Sequence, residues 1–475
     1  MFLNVYNGFI QNITLTGNQT MTFRKETDSL GTIWVPEDAY YGPQTQRAAE
    51  NFRISGLRFP LPFIHAIGLI KQCCARVNAE LGILDSGMSV AIANAAQDVM
   101  DGNPDHEFIV DVFQTGSGTS THMNVNEVIA SRANEILTGN RGGKTPVHPN
   151  DHVNMGQSSN DVFPSAMNLA VMMEISGRLV PELEYLRQAL SRKSEAFMGI
   201  QTIGRTHLQD AVPLTLGQEF SGYARQVELG IRRILSVRES LCELALGGTA
   251  VGTGVNTHPE FAGRAIARIA EATGLPFIEA RNHFEAQSAR DAGVETSGAL
   301  KVIAVSLFKI ANDIRWLASG PRCGLGEIDL PELQPGSSIM PGKINPVIPE
   351  VVIQVAAQVI GSDTTITLCG QGGCFQLNTM MPLMIYHLLQ SLSLISSVVR
   401  IFADKCILGI DPHPDVCLEN VKKSLFSATL LSPIIGYDRA AEIARKAFRT
   451  GKTIRETAKS EPDLPEIPWE HLENP

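Results

Sequence analysis

Aromatic residues are scarce in this chain of 475 residues: Phe, Trp and Tyr together make up 6%, against 44% for apolar residues as a whole. The apolar share is mostly Ala, Leu, Ile and Val, which suits packed helices better than a β-sandwich. No block of Lys and Arg breaks up a net charge of −10. Nucleic acid and anionic membranes are therefore excluded as main partners, and an anionic ligand needs a local positive site. No stretch of eighteen apolar residues is free of charge, so no membrane span is expected. The eight cysteines, at 73, 74, 242, 323, 369, 374, 406 and 417, show neither CxxC nor Cys/His ligand spacing. They read as reduced thiols in a cytosol-like compartment, and the chain is expected to be cytoplasmic. HExxH and Gly-x-Gly-x-x-Gly are missing, and no Gly-Lys-Ser/Thr follows the Gly/Ser/Thr loop at 113–119, which argues against a zincin, a dinucleotide site and a P-loop. No metal and no organic cofactor is expected. The N-terminus lacks the basic start and apolar centre of a signal peptide, and residues 1–21 read as a disordered leader.

What is present is length and helical periodicity. The chain is long enough for two or three domains around a large core. Short extended pieces are expected near 32–35 and helices over 63–81 and 87–100. Longer helices follow from about Pro164, with a kink at Pro181, and over 214–246, 297–319, 350–360 and 383–402. In the stretch 297–319 apolar residues fall on nearly every side, as a helix central to a bundle or between subunits requires. The expected architecture is mainly α: a mixed, mostly helical region over 22–155, a central five-helix bundle over 156–414 and a small helical region over 415–475, ending in an acidic, Pro-containing tail.

Polar loops punctuate these helices. Gly336-Ser337-Ser338-Ile339-Met340-Pro341-Gly342-Lys343-Ile344-Asn345-Pro346 offers flexible glycine, two hydroxyls, a cation and an amide near a helix start, which suits a small carboxylate. The same composition also fits an ordinary surface loop. Thr115-Gly116-Ser117-Gly118-Thr119 offers hydroxyls and backbone amides to an anion without a charge of its own. Ser158, Ser159, Asn160 and Asp161 are first of all helix caps, and a capped helix start is also a carboxylate site. Thr206-His207 stands near an expected loop-to-helix junction, where a lone His is as readily structural as catalytic. His148-Pro149-Asn150-Asp151-His152 reads as a turn rather than a helical face, which argues against a metal site.

The order Gly-Ser-Ser-x-Met-Pro-x-Lys-x-Asn-Pro resembles the signature loop of the fumarase/aspartase superfamily. The resemblance runs from Met21 to about Lys459 and includes Tyr41 to Arg47, the loop 115–119, Ser158-Ser159-Asn160, Thr206 to Asp210 and Ile435-Gly436-Tyr437-Asp438. Pro341-Gly342-Lys343 and Ser158-Ser159-Asn160 are similar to class II fumarases, whereas aspartases usually carry Pro-Ala-Lys and Ser-Thr-Asn. Leu330 to Gln334 and Gln376 to Asn378 are closer to aspartase; His122, Gly156 and Thr145 depart from the usual residues.

The resemblance implies a three-domain fold with a central long-helix bundle and a homotetramer whose active sites are shared between subunits. It implies reversible addition of water to fumarate, giving L-malate. Ser337 would be the base, and His207, paired with Glu350, the acid acting through a water. Ser117, Gly118, Thr119, Ser158, Ser159, Asn160, Thr206, Ser338, Lys343 and Asn345 would bind the dicarboxylate. His148, Asn150 and Asp151 would form a second, non-catalytic dicarboxylate site, which Thr145 leaves without its usual basic neighbour. Aspartate ammonia-lyase is the alternative activity, and a non-catalytic scaffold on the same fold the more distant one.

Overall fold

The structure, a computed structural model, describes residues 22–469. The expected leader over 1–21 and the end of the acidic tail lie outside the described residues. Of the described residues, 61% are helical. Strands among the described residues occur only as two-stranded pairs. The scarcity of aromatics and the 3–4 spacing of aliphatic residues are realised together, because each long helix buries a stripe rather than an alternating face.

The chain divides into two compact units, and the boundaries between them fall inside long helices. The first comprises the described residues up to Val180 with Arg232–Val302 and Gln358–Ile395. It opens with the antiparallel hairpin Phe23–Asp28 and Gly31–Pro36, in register from Phe23 with Pro36 to Asp28 with Gly31. Helix Leu61–Glu80 starts beside Pro60 and buries Phe63, Ile64, Ile67, Ile70, Cys74 and Val77. Asp85 starts Ser86–Met100 by accepting a hydrogen bond from the Met88 amide. Phe63 packs edge-on against Phe163 at 4.7 Å between ring centroids, which fixes helix Ser159–Glu174 near its start.

That helix begins five residues before Pro164 and tolerates this proline in its second turn. One wide helical turn, Ile175–Leu179, then links it to Val180–Ala196. Pro181 has no N–H for the carbonyl four residues earlier, so the expected kink takes the form of that wide turn. Short strands Glu243–Leu244 and Ile278–Glu279 pair in parallel, so a two-residue strand precedes the glycines of 247–254.

The second unit comprises Pro181–Ile231, Ile303–Ala357 and the described residues from Ser396 on. Its hairpin Gln201–Thr206 and Gln209–Thr215 occupies a stretch expected to be loop and helix start, and the following helix is Leu216–Ser236. Near the C-terminus Leu431, Ala440, Ile443, Ala447, Ile454, Ala458 and Trp469 form a small core of their own. A capping box between Thr453 and Glu456 starts its last helix, Ile454–Lys459.

The three longest helices are Asp291–Leu317, Val347–Gly370 and Met381–Lys405, each longer at both ends than periodicity indicated or shifted toward the N-terminus. Val347–Gly370 is long and apolar enough on average to cross a membrane, with a mean hydropathy of 1.3 over eighteen residues. Core helices of other proteins pass the same test, and Glu350 and Asp363 lie within this one.

Candidate active site

In the first unit the polar loops converge by hydrogen bonding. Ser117 Oγ lies 2.8 Å from Thr119 Oγ1, which lies 2.6 Å from Ser159 Oγ, so three hydroxyls from two helix starts form one chain. Helix Thr119–Thr138 starts at Thr119, with Gly118 as its cap at φ 76°. A Cβ on Gly118 would stand 2.1 Å from the Phe163 ring, and one on Gly116 1.7 Å from the Thr379 carbonyl. Close packing as well as the left-handed backbone therefore demands glycine in this loop. Ser158 caps Ser159–Glu174 and forms a capping box with Asp161. Asn160 donates to the Ala250 carbonyl at 2.8 Å. The helix N-terminus, its free amides and the hydroxyl chain make an anion-binding surface without a resident cation.

Asp161 is the residue behind this surface. It is fully buried and accepts the amides of Ser158, Gly247 and Thr249. Burial raises its carboxyl pKa, and the three amides oppose that rise. Beneath the preceding turn Lys71, also fully buried, donates to Asn154 and Gln157 at 3.0 and 2.9 Å and lies 2.7 Å from His122 Nε2. Sequence reasoning singled out neither Asp161 as a buried anchor nor Lys71. The Ser-x-x-Asp spacing was the available signal for the first; nothing in the periodicity separates Lys71 from an exposed lysine.

In the second unit the loop 336–346 closes on itself. Gly336 N donates to the Lys343 carbonyl at 2.7 Å, Asn345 Nδ2 donates to the Gly336 carbonyl at 2.6 Å, and Lys343 Nζ donates to Asn345 Oδ1 at 2.8 Å. Ser337 Oγ accepts from the amides of Ile339 and Met340 at 3.2 and 3.0 Å. Two such donors favour an anionic oxygen at Ser337. Lys343 is spent on Asn345, and no hydrogen bond links it to Ser337 among the described residues. Ser338 and Lys343 are exposed.

Thr206 ends one strand of the hairpin, and His207 and Leu208 form its two-residue tip at φ 58° and 60°. This corrects the expected loop-to-helix setting: His207 stands exposed at the end of a lever, in a turn type that normally takes Asn or Gly. Two residues away Arg205 pairs with the fully buried Glu327 at 2.5 Å, and Thr202 and Asn420 donate to the same carboxylate. Glu350 lies in the first turn of Val347–Gly370. No hydrogen bond or ion pair joins it to His207 among the described residues.

His148 caps a single helical turn, Pro149–Val153, where a plain turn was expected. Its Nδ1 accepts the amides of Asn150 and Asp151. Burial, the largest effect, lowers its pKa. Asn150 Nδ2 is directed to the Met123 sulfur, and Asn150 and Asp151 are both exposed while His148 is half-buried. Among the described residues no three His, Cys, Asp or Glu side chains are grouped to hold a metal.

Known proteins resemble this chain over most of its length. A family described as lyase matches residues 31–361, and one described as fumarase C C-terminus matches 428–473. A class II fumarate hydratase from Nitrosomonas europaea is 55% identical over 436 residues, covering 92% of this chain and 94% of the relative. A mitochondrial fumarate hydratase from Rhizopus oryzae is 53% identical, covering 92% of this chain and 89% of the relative. A crystal structure of a class II fumarase from Schistosoma mansoni superposes with a TM-score of 0.90 at 41% identity, covering 92% of this chain and 95% of its own. One titled fumarate lyase:delta crystallin, from Brucella melitensis, gives a TM-score of 0.90 at 44% identity, covering 95% and 97%. The chain belongs to the class II fumarate hydratase family.

Proposed function

We propose that this chain is a fumarate hydratase, interconverting fumarate and L-malate by reversible anti addition and elimination of water. The observation that carries this reading is the identity to class II fumarate hydratases across nine-tenths of the chain. The proton beside a carboxylate is poorly acidic, so catalysis depends on stabilising the charge that develops as it leaves. Ser337 is the base, and the Ile339 and Met340 amides on its oxygen supply the stabilisation that a free serine lacks. Lys343 and Asn345 hold the adjacent carboxylate with Ser338 assisting. Ser117, Gly118, Thr119, Ser158, Ser159 and Asn160 receive the other one. Thr206 orients the substrate, and His207 acts with Glu350 through a water to protonate the leaving hydroxide. His148, Asn150 and Asp151 hold a second dicarboxylate outside the catalytic centre.

The site is shared among subunits of a homotetramer, which supplies His207 with a carboxylate that its own chain does not bring to it. Eight cysteines, all unpaired, support a cytoplasmic location. The test is the ultraviolet appearance of fumarate from L-malate and, separately, from L-aspartate. Malate alone is expected to give signal, and Ser337→Ala or His207→Asn to lower it by about a hundredfold or more. Signal from aspartate alone would assign an ammonia-lyase; silence with both would leave the scaffold reading.

A further inference from the structure

The first unit contains a cavity of about 470 Å³ that the hydratase reaction does not use. It is roomy enough for a small organic ligand. Arg290 lines it and is 6% exposed. Its one protein partner among the described residues is the Ala286 carbonyl, and its Nε has none. A buried guanidinium without a carboxylate is costly, because its desolvation is repaid only by an anion with matching geometry. Met167, Val171 and Leu388 give the cavity an apolar wall. Glu285 and Asp291 also line it, both exposed and neither in an ion pair among the described residues. Burial raises the Glu285 pKa, the charge of Arg290 opposes that rise, and repulsion from Asp291 and Glu243 adds to it.

These features select against simple anions, which would meet two carboxylates on the way to one guanidinium. We propose that the cavity binds a small zwitterionic amino acid with an apolar side chain: its carboxylate on Arg290, its ammonium on Glu285 and Asp291, its side chain against Met167, Val171 and Leu388. The residues involved are separate from Ser337, His207 and the hydroxyl chain, so the proposal stands independently of the hydratase reading.

Isothermal titration of the full chain with L-leucine, 4-methylpentanoate and 3-methylbutylamine tests it. Leucine is expected to bind more tightly than either analogue, since each lacks one charged end. Arg290→Met is expected to weaken leucine at least tenfold and Ser337→Ala to leave it unchanged. Should Arg290→Met fail to fold, Met167→Trp, which fills the cavity, is expected to abolish binding. No leucine binding by the wild type, binding unaffected by Arg290→Met or Met167→Trp, or an acid analogue as tight as leucine would overturn the proposal.

Discussion

Lys71 is a charge held where charge is expensive, and its surroundings show how one buried residue can shape a binding surface at second hand. Its three acceptors, His122, Asn154 and Gln157, match the three N–H groups of an ammonium. Burial nevertheless pushes its pKa down to about 7 from 10.5. Across that window the unfolded chain binds a proton that the folded chain releases, so this residue's contribution to stability rises with pH; its cost is fully present below pH 7. Lys71→Met should flatten that rise, read as a smaller change in denaturation midpoint between pH 7 and 9.5 than in the wild type. It should also destabilise by about 1–3 kcal/mol for each buried acceptor left unpaired. Identical pH slopes in the two proteins would mean that Lys71 stays charged throughout. The identity of its partners was half legible: His122 stands out in the sequence as a departure, but only the fold shows that it faces a lysine 51 residues earlier.

Among the elements, the hairpin over 201–215 was the hardest to read in advance. A two-residue hairpin usually declares itself by Asn-Gly or Gly-Gly, and here the tip is His-Leu. Without that mark the periodicity of the following helix spreads backward and claims Leu214 and Thr215, the end of the second strand, for the helix. Non-glycine residues in the left-handed region cost about 1–2 kcal/mol each, a cost that function can justify at His207 but not on local grounds at Leu208. Leu208→Gly is therefore expected to stabilise the folded chain by about 1 kcal/mol in denaturant titration; destabilisation would show that the Leu208 side chain has packing of its own to lose. The start of Ser159–Glu174 was more legible, because Ser158 and Asp161 act through a spacing that sequence displays directly. The loop 336–346 was legible as a polar loop before a helix, but the donation of its lysine to Asn345 rather than toward Ser337 was not.

For the whole molecule, the long helices carry apolar surface that their own chain leaves uncovered. On Asp291–Leu317, Val302, Val305, Phe308 and Trp316 are 37%, 53%, 39% and 46% exposed at spacings of three to eight residues. On Val347–Gly370, Val351 and Leu368 are 41% and 56% exposed. Periodicity announced helices greasy on nearly all sides; it could not say whether the second side meets this chain or another copy, because both burials demand the same residues. The subunit association proposed above would cover that side. Val305→Glu should reduce the assembly mass in sedimentation and lower activity with it, while a fully active wild-type monomer would remove the shared site. Assembly would leave the loop 336–346 with one further consequence. Met340, whose amide helps hold the Ser337 oxygen, is 48% exposed. Peroxide converts such a sulfur to a polar sulfoxide, and only a reductase restores it. The chemistry of the site is thereby tied to the oxidative history of the molecule, and damage there would dim the enzyme long before it unfolded it.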